Sequence, residues 1–277
     1  MTHELGAALL LYHFLENENL KPFCLSTGPS SHLPAKFGLQ SFDLDQIEEL
    51  IDNGENVSYL GSTPSNFSSV VMPFLQLFGA RKCEKILILD NWVNYRNRMG
   101  DLIPDSILVF DELAAEYAAD IFPNRKSSIK LVTNYYLEFC RNQLESGYTK
   151  SENILFVEVN DNEFTNFSNF KNGRYCICPK LKKLCEIYKE RRIIFRQHPS
   201  TLRESCFFEF IAEYPQYAHT VVLSQNLELI EDLRIVSLVL GLPSYALYLA
   251  QELGFDVKTL EETNNKWHGP IFNRLTL

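Results

Sequence analysis

The chain has 277 residues, 45% hydrophobic and 22% charged, with 26 basic against 35 acidic residues and a formal net charge of −9. That composition excludes a disordered, collagen-like or disulfide-scaffold protein. The acidic balance argues against nucleic acid as the main partner, because phosphate binding needs a surplus of Lys and Arg on one face.

The N-terminal run Thr2–Asn17 predicts a helix, with Leu5, Ala8, Leu9 and Tyr12 on one face and Thr2 as its cap. No strand precedes it, although a doubly wound domain normally begins with a strand whose glycine-rich turn feeds the first helix. The first domain is therefore expected to lack its usual first strand. The residues after Met1 include His3 and Glu4 rather than a basic leader, and no apolar run reaches the roughly 18–20 residues of a spanning helix. A cytoplasmic protein without a transmembrane segment is expected, with peripheral membrane contact and oligomeric state left open.

Apolar runs then alternate with helical stretches, the pattern of βα units around a parallel sheet. Strands are predicted over Pro22–Ser26, Asn56–Leu60, Lys85–Asp90, Ser106–Phe110 and Ile129–Thr133, with helices over Leu44–Asn53 and Phe67–Phe78 among them. The polar segment Arg141–Ser151 contains Gly147 and reads as a linker. The alternation then restarts: strand Asn153–Val159, helix Cys178–Glu190, strand Arg192–Arg196, helix Thr201–Tyr214, strand Thr220–Ser224 and a short helix at Leu227–Leu233. Strand Ile235–Leu240, helix Ser244–Leu253 and a strand near Phe255–Leu260 complete it. The expected architecture is α/β, with two Rossmann-like domains over residues 1–147 and 148–277, each built on a parallel sheet and facing the other across a cleft.

In open parallel sheets ligands lie beyond the carboxyl ends of the strands, so the residues delivered there are the candidates. Arg196-Gln197-His198-Pro199-Ser200 directly follows the apolar Ile193-Ile194-Phe195. Arg196, His198 and Ser200 beside a helix start, with Thr201 and Glu204 as a capping box, make a competent site for a phosphate or diphosphate. The alternative is that His198 only caps and Arg196 only pairs with an acid at the surface. Gly241-Leu242-Pro243-Ser244 follows the strand Ile235–Leu240. Gly241 would let a ligand approach the backbone, and Ser244 would bind a phosphate oxygen or simply cap its helix.

The first half offers a different chemistry. Asp90-Asn91-Trp92-Val93-Asn94-Tyr95-Arg96-Asn97-Arg98 ends the strand at Ile86–Leu89. Asp90 is a candidate base for an acceptor hydroxyl, Trp92 and Tyr95 candidate platforms for a sugar ring, and Arg96 and Arg98 candidate anion contacts. Asp90 ordering the turn and Trp92 packing between the domains are the alternatives. Asp111 and Glu112 are a competing acidic pair whose commoner role is at a helix N-terminus. Ser62 and Thr63, in the turn Gly61–Asn66, and His3 are further candidates for sugar hydroxyls or an anion.

No metal is expected. Cys176 and Cys178 are too close for a zinc knuckle, and Asp43-Leu44-Asp45 reads as a helix start. Of the seven cysteines, Cys24, Cys140 and Cys206 fall in apolar segments and read as buried hydrophobes. The helix from Lys180 has Leu181, Leu184, Cys185 and Tyr188 on one face, so its cations read as a solvated face.

The His-Pro after a buried strand, followed downstream by the Gly-x-x-Ser-x-Ala-Leu-Tyr helix from Gly241 to Tyr248, resembles the nucleotide-binding half of GT-B glycosyltransferases, including bacterial sialyltransferase-like and capsule-polymer enzymes. The resemblance covers about the last hundred residues. It implies a GT-B fold and places His198 and Ser244 on the phosphate of an activated sugar. It departs from the family where a ribose-binding carboxylate is common, since the helix reads Tyr248-Leu249-Ala250, with Glu252 less than a turn later. The implied activity is metal-independent transfer from a nucleotide sugar to a saccharide or glycoconjugate acceptor in surface polysaccharide synthesis, with the donor as substrate and no cofactor. A nucleotide-sugar hydrolase or epimerase of the same fold, or a non-catalytic nucleotide-sugar-binding protein, is the alternative.

Overall fold

Two parallel β-sheets, each formed from runs of branched and aromatic residues, organise the chain. The computed structural model describes residues 5–22, 24, 26, 30–53, 58–62, 84–90, 92, 95, 104–149, 151–159, 170–171, 174–175, 177–198, 206–260 and 269–275. The chain divides into two compact units, Met1–Tyr136 with Asn265–Gly269 and Leu137–Asn264 with Pro270–Leu277.

In the first unit, α1 (Leu5–Asn17) precedes every described strand. Rather than one buried face, Ala7, Ala8, Leu9, Leu10, Leu11 and Tyr12 are all buried, as expected of a helix that is apolar around its circumference. His13 is buried too, its ring edge-on to Phe37 and stacked on Tyr136. Of the strand expected over Pro22–Ser26, only isolated bridging appears among the described residues, Cys24 pairing in parallel with Ser41. Helix α2 (Leu33–Lys36) is one short turn, and α3 (Leu44–Asp52) opens on a reciprocal cap. There Asp43 Oδ1 accepts from the Gln46 N–H at 2.9 Å and Gln46 Oε1 from the Asp43 N–H at 3.0 Å, so Asp43-Leu44-Asp45 is the helix start expected.

Strands β1 (Tyr59–Ser62), β2 (Lys85–Ile88), β3 (Ser106–Val109) and β4 (Ile129–Leu131) lie side by side in chain order, all parallel. Because β1 runs two residues beyond the expected end, Gly61 and Ser62 are ladder residues opposite Leu87 and Ile88 and not part of a turn. Helix α4 (Glu112–Ile121) follows β3. The helix expected over Phe67–Phe78 lies outside the described residues.

Helix α5 (Tyr135–Glu145) takes in the first part of the segment expected as a linker. Tyr136, Leu137 and Cys140 are buried, so the polar residues of Arg141–Glu145 occupy the outer face of an amphipathic helix rather than a loop.

Among the described residues the second unit carries a six-stranded sheet in the order β12-β11-β10-β5-β8-β9, all parallel. They are β5 (Ile154–Val157), β8 (Ile193–Arg196), β9 (Val221–Leu223), β10 (Leu238–Gly241), β11 (Asp256–Thr259) and β12 (Asn273–Arg274). Two short antiparallel strands, β6 (Phe170–Lys171) and β7 (Arg174–Tyr175), pair separately. Ile154, Phe156, Ile193, Phe195, Leu238 and Leu240 pack with Leu181 and Leu184 of α6 (Cys178–Ile187) and Phe210 of α7 (Cys206–Glu213). The alternate residues Leu155, Ile194 and Val239 are buried as well, which is why these strands read as unbroken apolar runs: a parallel sheet is covered on both faces. Helices α8 (Leu229–Leu233) and α9 (Tyr245–Glu252) complete this unit.

The chain leaves β5 for β8 and β9 on one side, then returns to β10 on the other. The order therefore reverses between β5 and β10, and such a reversal opens a crevice at the carboxyl ends of the two strands.

Gly241 ends β10 opposite Val157. A Cβ there would lie 2.8 Å from the Val157 carbonyl oxygen and 3.0 Å from Leu247 Cδ1. The missing side chain thus serves strand packing, a duty distinct from the ligand approach expected of it. Gly241→Ala should cost about 1–3 kcal/mol through overpacking, read from the urea unfolding midpoint; a variant as stable as the parent would show that β5 yields freely there.

Candidate functional site

The reversal between β5 and β10 places several of the expected residues on one rim. His198 stands two residues past β8, half-buried, and its N–H donates to Glu158 Oε2 at 3.1 Å. Glu158 follows β5 directly, is buried, and its Oε1 accepts from the Cys206 N–H at 3.0 Å and from the Cys206 thiol at 3.1 Å. One carboxylate on the central strand thereby ties the tip of β8 to the start of α7. Cys206, expected as a plain buried hydrophobe, is half-buried and polar in its contact.

Ser244 is the N-cap of α9, extended at φ −160° and ψ 166°, with its hydroxyl accepting from the Leu247 N–H. The cap is realised, and it stations the hydroxyl at a helix N-terminus beside the reversal, where an anion is favoured.

Arg196 is already engaged inside the protein. Its Nη1 donates to Asp232 Oδ2 at 2.6 Å and to the carbonyls of Asn226 and Glu228, while Nη2 donates to the Leu227 carbonyl at 2.8 Å. Asp232 has no exposed surface, and it also accepts from the Ser224 hydroxyl at 2.7 Å and the Asn226 amide at 2.7 Å. The acid partner is thus a buried one on α8, and the guanidinium's work here is to hold the 224–232 stretch beside the tip of β8.

Lys180, in the first turn of α6, departs from the solvated face expected of it. It is half-buried, with Nζ 3.4 Å from the Leu260 carbonyl oxygen past the end of β11. Burial, chiefly, with the nearby charges of Arg274 and Lys183, pushes its pKa down to about 8. Cys185 of the same helix is pushed up to about 12 by burial, so its thiol is inert at neutral pH.

In the first unit, Asp90 is half-buried two residues past β2. Asp111 is the N-cap of α4: Oδ1 accepts from the Ala114 N–H at 2.7 Å, and its two oxygens lie 3.1 and 3.0 Å from Trp92 Nε1. Glu112 is exposed in the first helical turn. Trp92 is 2% exposed and Tyr95 0%, with the Tyr95 ring 4.7 Å from that of Tyr117. Both rings are core residues here, and a sugar would reach neither without uncovering it. The backbone of Ser62 lies within β1. His3, Thr63, Arg96, Arg98 and Ser200 lie outside the described residues, as do Thr201 and Glu204.

The structure thus gathers His198, Gly241 and Ser244 at one sheet end and adds Glu158, which the sequence reading passed over. Its only local signal is a carboxylate directly after an apolar strand. Among the described residues no group of three or more His, Cys, Asp or Glu is placed to hold a metal ion, and no helix is long and apolar enough to cross a membrane.

The sequence matches no protein-family model and no curated protein. Similarity to solved structures is extensive. The UDP-GlcNAc 2-epimerase of Methanocaldococcus jannaschii, in complex with UDP-GlcNAc and UDP, is 16% identical, with 96% of this chain and 83% of that one covered and a TM-score of 0.65. The Neisseria meningitidis UDP-GlcNAc 2-epimerase bound to UDP-GlcNAc is 12% identical, with 95% and 82% covered and a TM-score of 0.69. The wall teichoic acid polymerase TagF is 10% identical, with 94% and 69% covered and a TM-score of 0.52. At these identities what is shared is the fold, and the chain has the α/β architecture of GT-B proteins, two Rossmann-like units built on parallel sheets.

Proposed function

We propose that the protein is an enzyme acting on a nucleotide-activated sugar, a UDP-sugar in the first instance, which it binds through the second unit and transforms by epimerase- or hydrolase-type chemistry on the donor itself. The observation that carries this reading is that His198, past the end of β8, and the Ser244-capped start of α9, past the end of β10, stand at the same sheet end on the two sides of β5. Epimerases solved with UDP-GlcNAc or UDP share the fold over nearly the whole chain, which supports the choice of donor.

In this reading His198 and the N–H groups opening α9 neutralise charge on the diphosphate, which grows if its bond to the sugar breaks. Glu158 and Arg196 are positioning residues. Gly241 serves the closeness of β5 and β10 rather than the ligand. The nucleotide sugar is the substrate, and no metal or cofactor enters the proposal.

Glycosyl transfer is the second reading, favoured by the likeness to a teichoic acid polymerase. It would assign the acceptor to the first unit, with Asp90 or Glu112 as the base, since the Asp111 carboxylate already caps α4 and receives Trp92. The site is then expected in a protein of surface-glycan synthesis.

The test is calorimetric and thermal titration with UDP, UDP-GlcNAc and other nucleotide sugars. Ligand at about 100 times its Kd should add about 2.7 kcal/mol of stability. His198→Ala should weaken UDP binding about tenfold to a hundredfold, the worth of a hydrogen bond to a charged group. If no nucleotide stabilises the protein, the donor reading fails. Turnover of a UDP-sugar alone identifies epimerase or hydrolase chemistry, and turnover only with an added acceptor identifies transfer.

A further inference from the structure

Between Arg196, engaged with Asp232, and His198, tied through its backbone to Glu158, stands a residue that neither the fold nor the proposed chemistry has used. Gln197 is half-buried as a whole, yet its side-chain Nε2 is shielded from solvent and has no hydrogen-bond partner among the described residues. A buried donor left without an acceptor is destabilising, so native proteins seldom keep one without a reason. The simplest repair is a side chain of the same length without the amide. An N–H₂ group retained here is a donor for an acceptor that a ligand would bring.

The position says which acceptor. Gln197 directly follows β8, the neighbour of β5, at the same sheet end as His198 and the start of α9. In the donor reading above, groups at this sheet end meet the part of a nucleotide sugar richest in acceptor oxygens, its diphosphate. An amide donates without adding charge, so it suits a phosphate oxygen already opposed by His198 and a helix N-terminus.

We infer that Gln197 is a ligand-binding residue whose Nε2 donates to a diphosphate oxygen of the bound nucleotide. The inference rests on the donor reading above and adds a residue to it. The free protein bears the cost of the unpaired amide, and the nucleotide removes it. Affinity and unliganded stability therefore oppose each other at this position.

That opposition separates a binding role from a structural one. Gln197→Met keeps length and volume and removes the donor; Gln197→Glu keeps the shape and sets an anionic acceptor against an anionic ligand. Both variants and the parent are titrated with UDP and with uridine, and their unliganded melting temperatures are measured. Gln197→Met is expected to melt at or above the parent temperature and to bind UDP about tenfold more weakly, with uridine binding unchanged. Gln197→Glu should lose more than tenfold for UDP, again sparing uridine.

Parental UDP affinity in Gln197→Met overturns the inference. So does an equal loss for uridine, which would put the contact on the nucleoside, and so does a lower unliganded melting temperature in Gln197→Met, which would show that the amide has a partner in the free protein. If the parent binds neither UDP nor any nucleotide sugar, the donor reading itself has failed, an outcome distinct from a parent that binds and a variant that binds equally well.

Discussion

Asp232→Ala is expected to lower the stability of the protein by about 3–5 kcal/mol, the usual cost of breaking a buried ion pair by removing one partner. Asp232 is fully buried and receives Arg196, Ser224 and Asn226 together. Its removal leaves a guanidinium that is only 13% exposed without a counter-charge and strands two neutral donors beside it. The double variant Arg196→Met, Asp232→Leu should recover part of that loss, because it abolishes the charges instead of orphaning one. Recovery stays incomplete, since the carbonyls of Asn226, Leu227 and Glu228 lose the donor they share. Urea midpoints of the parent, Arg196→Met, Asp232→Leu and the double variant form the cycle that measures this, with Asp232→Ala measured beside them. A loss below about 1 kcal/mol for Asp232→Ala would mean that water reaches the pair as it does at a surface.

Glu158→Ala should cost about 2–4 kcal/mol, since it deprives two backbone N–H groups, of His198 and Cys206, of their acceptor at a buried position. Its second effect is on the ligand. With neither the tip of β8 nor the start of α7 tied to the central strand, UDP affinity should fall although residue 158 is not itself assigned a contact with the nucleotide. Glu158→Gln keeps one acceptor oxygen and turns the other into a donor that faces a donor, so it should fall between the parent and the alanine variant on both scales. Urea unfolding and UDP titration of the same preparations check this. Unchanged affinity in a destabilised Glu158→Ala protein would confine the carboxylate to the fold.

The difference between what the sequence discloses and what it conceals follows from the range of each interaction. Strands β5, β8, β9, β10 and β11, the start of α9 at Ser244 and the helix start at Asp43 are written in consecutive residues, and the structure has them within a few positions, whereas β6, β7 and β12, two residues each, leave no apolar run to read. Glu158, Arg196 and Gly241 acquire their roles from residues far along the chain: Cys206, Asp232 and Val157. A glycine after a strand looks the same whether a ligand or a neighbouring carbonyl fills its space. Likewise Trp92 and Tyr95 next to a strand end suit a sugar platform or a core, and only their burial decides. Arg141–Glu145 looked like a linker because its apolar anchors, Tyr136, Leu137 and Cys140, lie upstream of the polar run.

The return of the chain from β9 to β10 also bears on how the protein is made. Strand β5 is central, yet its two neighbours emerge from the ribosome at very different times, β8 first and β10 only after β9 and α8. Until Gly241 has been synthesised, one edge of an entirely apolar strand, Ile154–Val157, has no partner. Such an edge is a template for pairing with another chain. A nascent chain paused between β9 and β10 therefore still carries an open template for aggregation, and arrival of β10 both closes that edge and completes the crevice at the strand-order reversal.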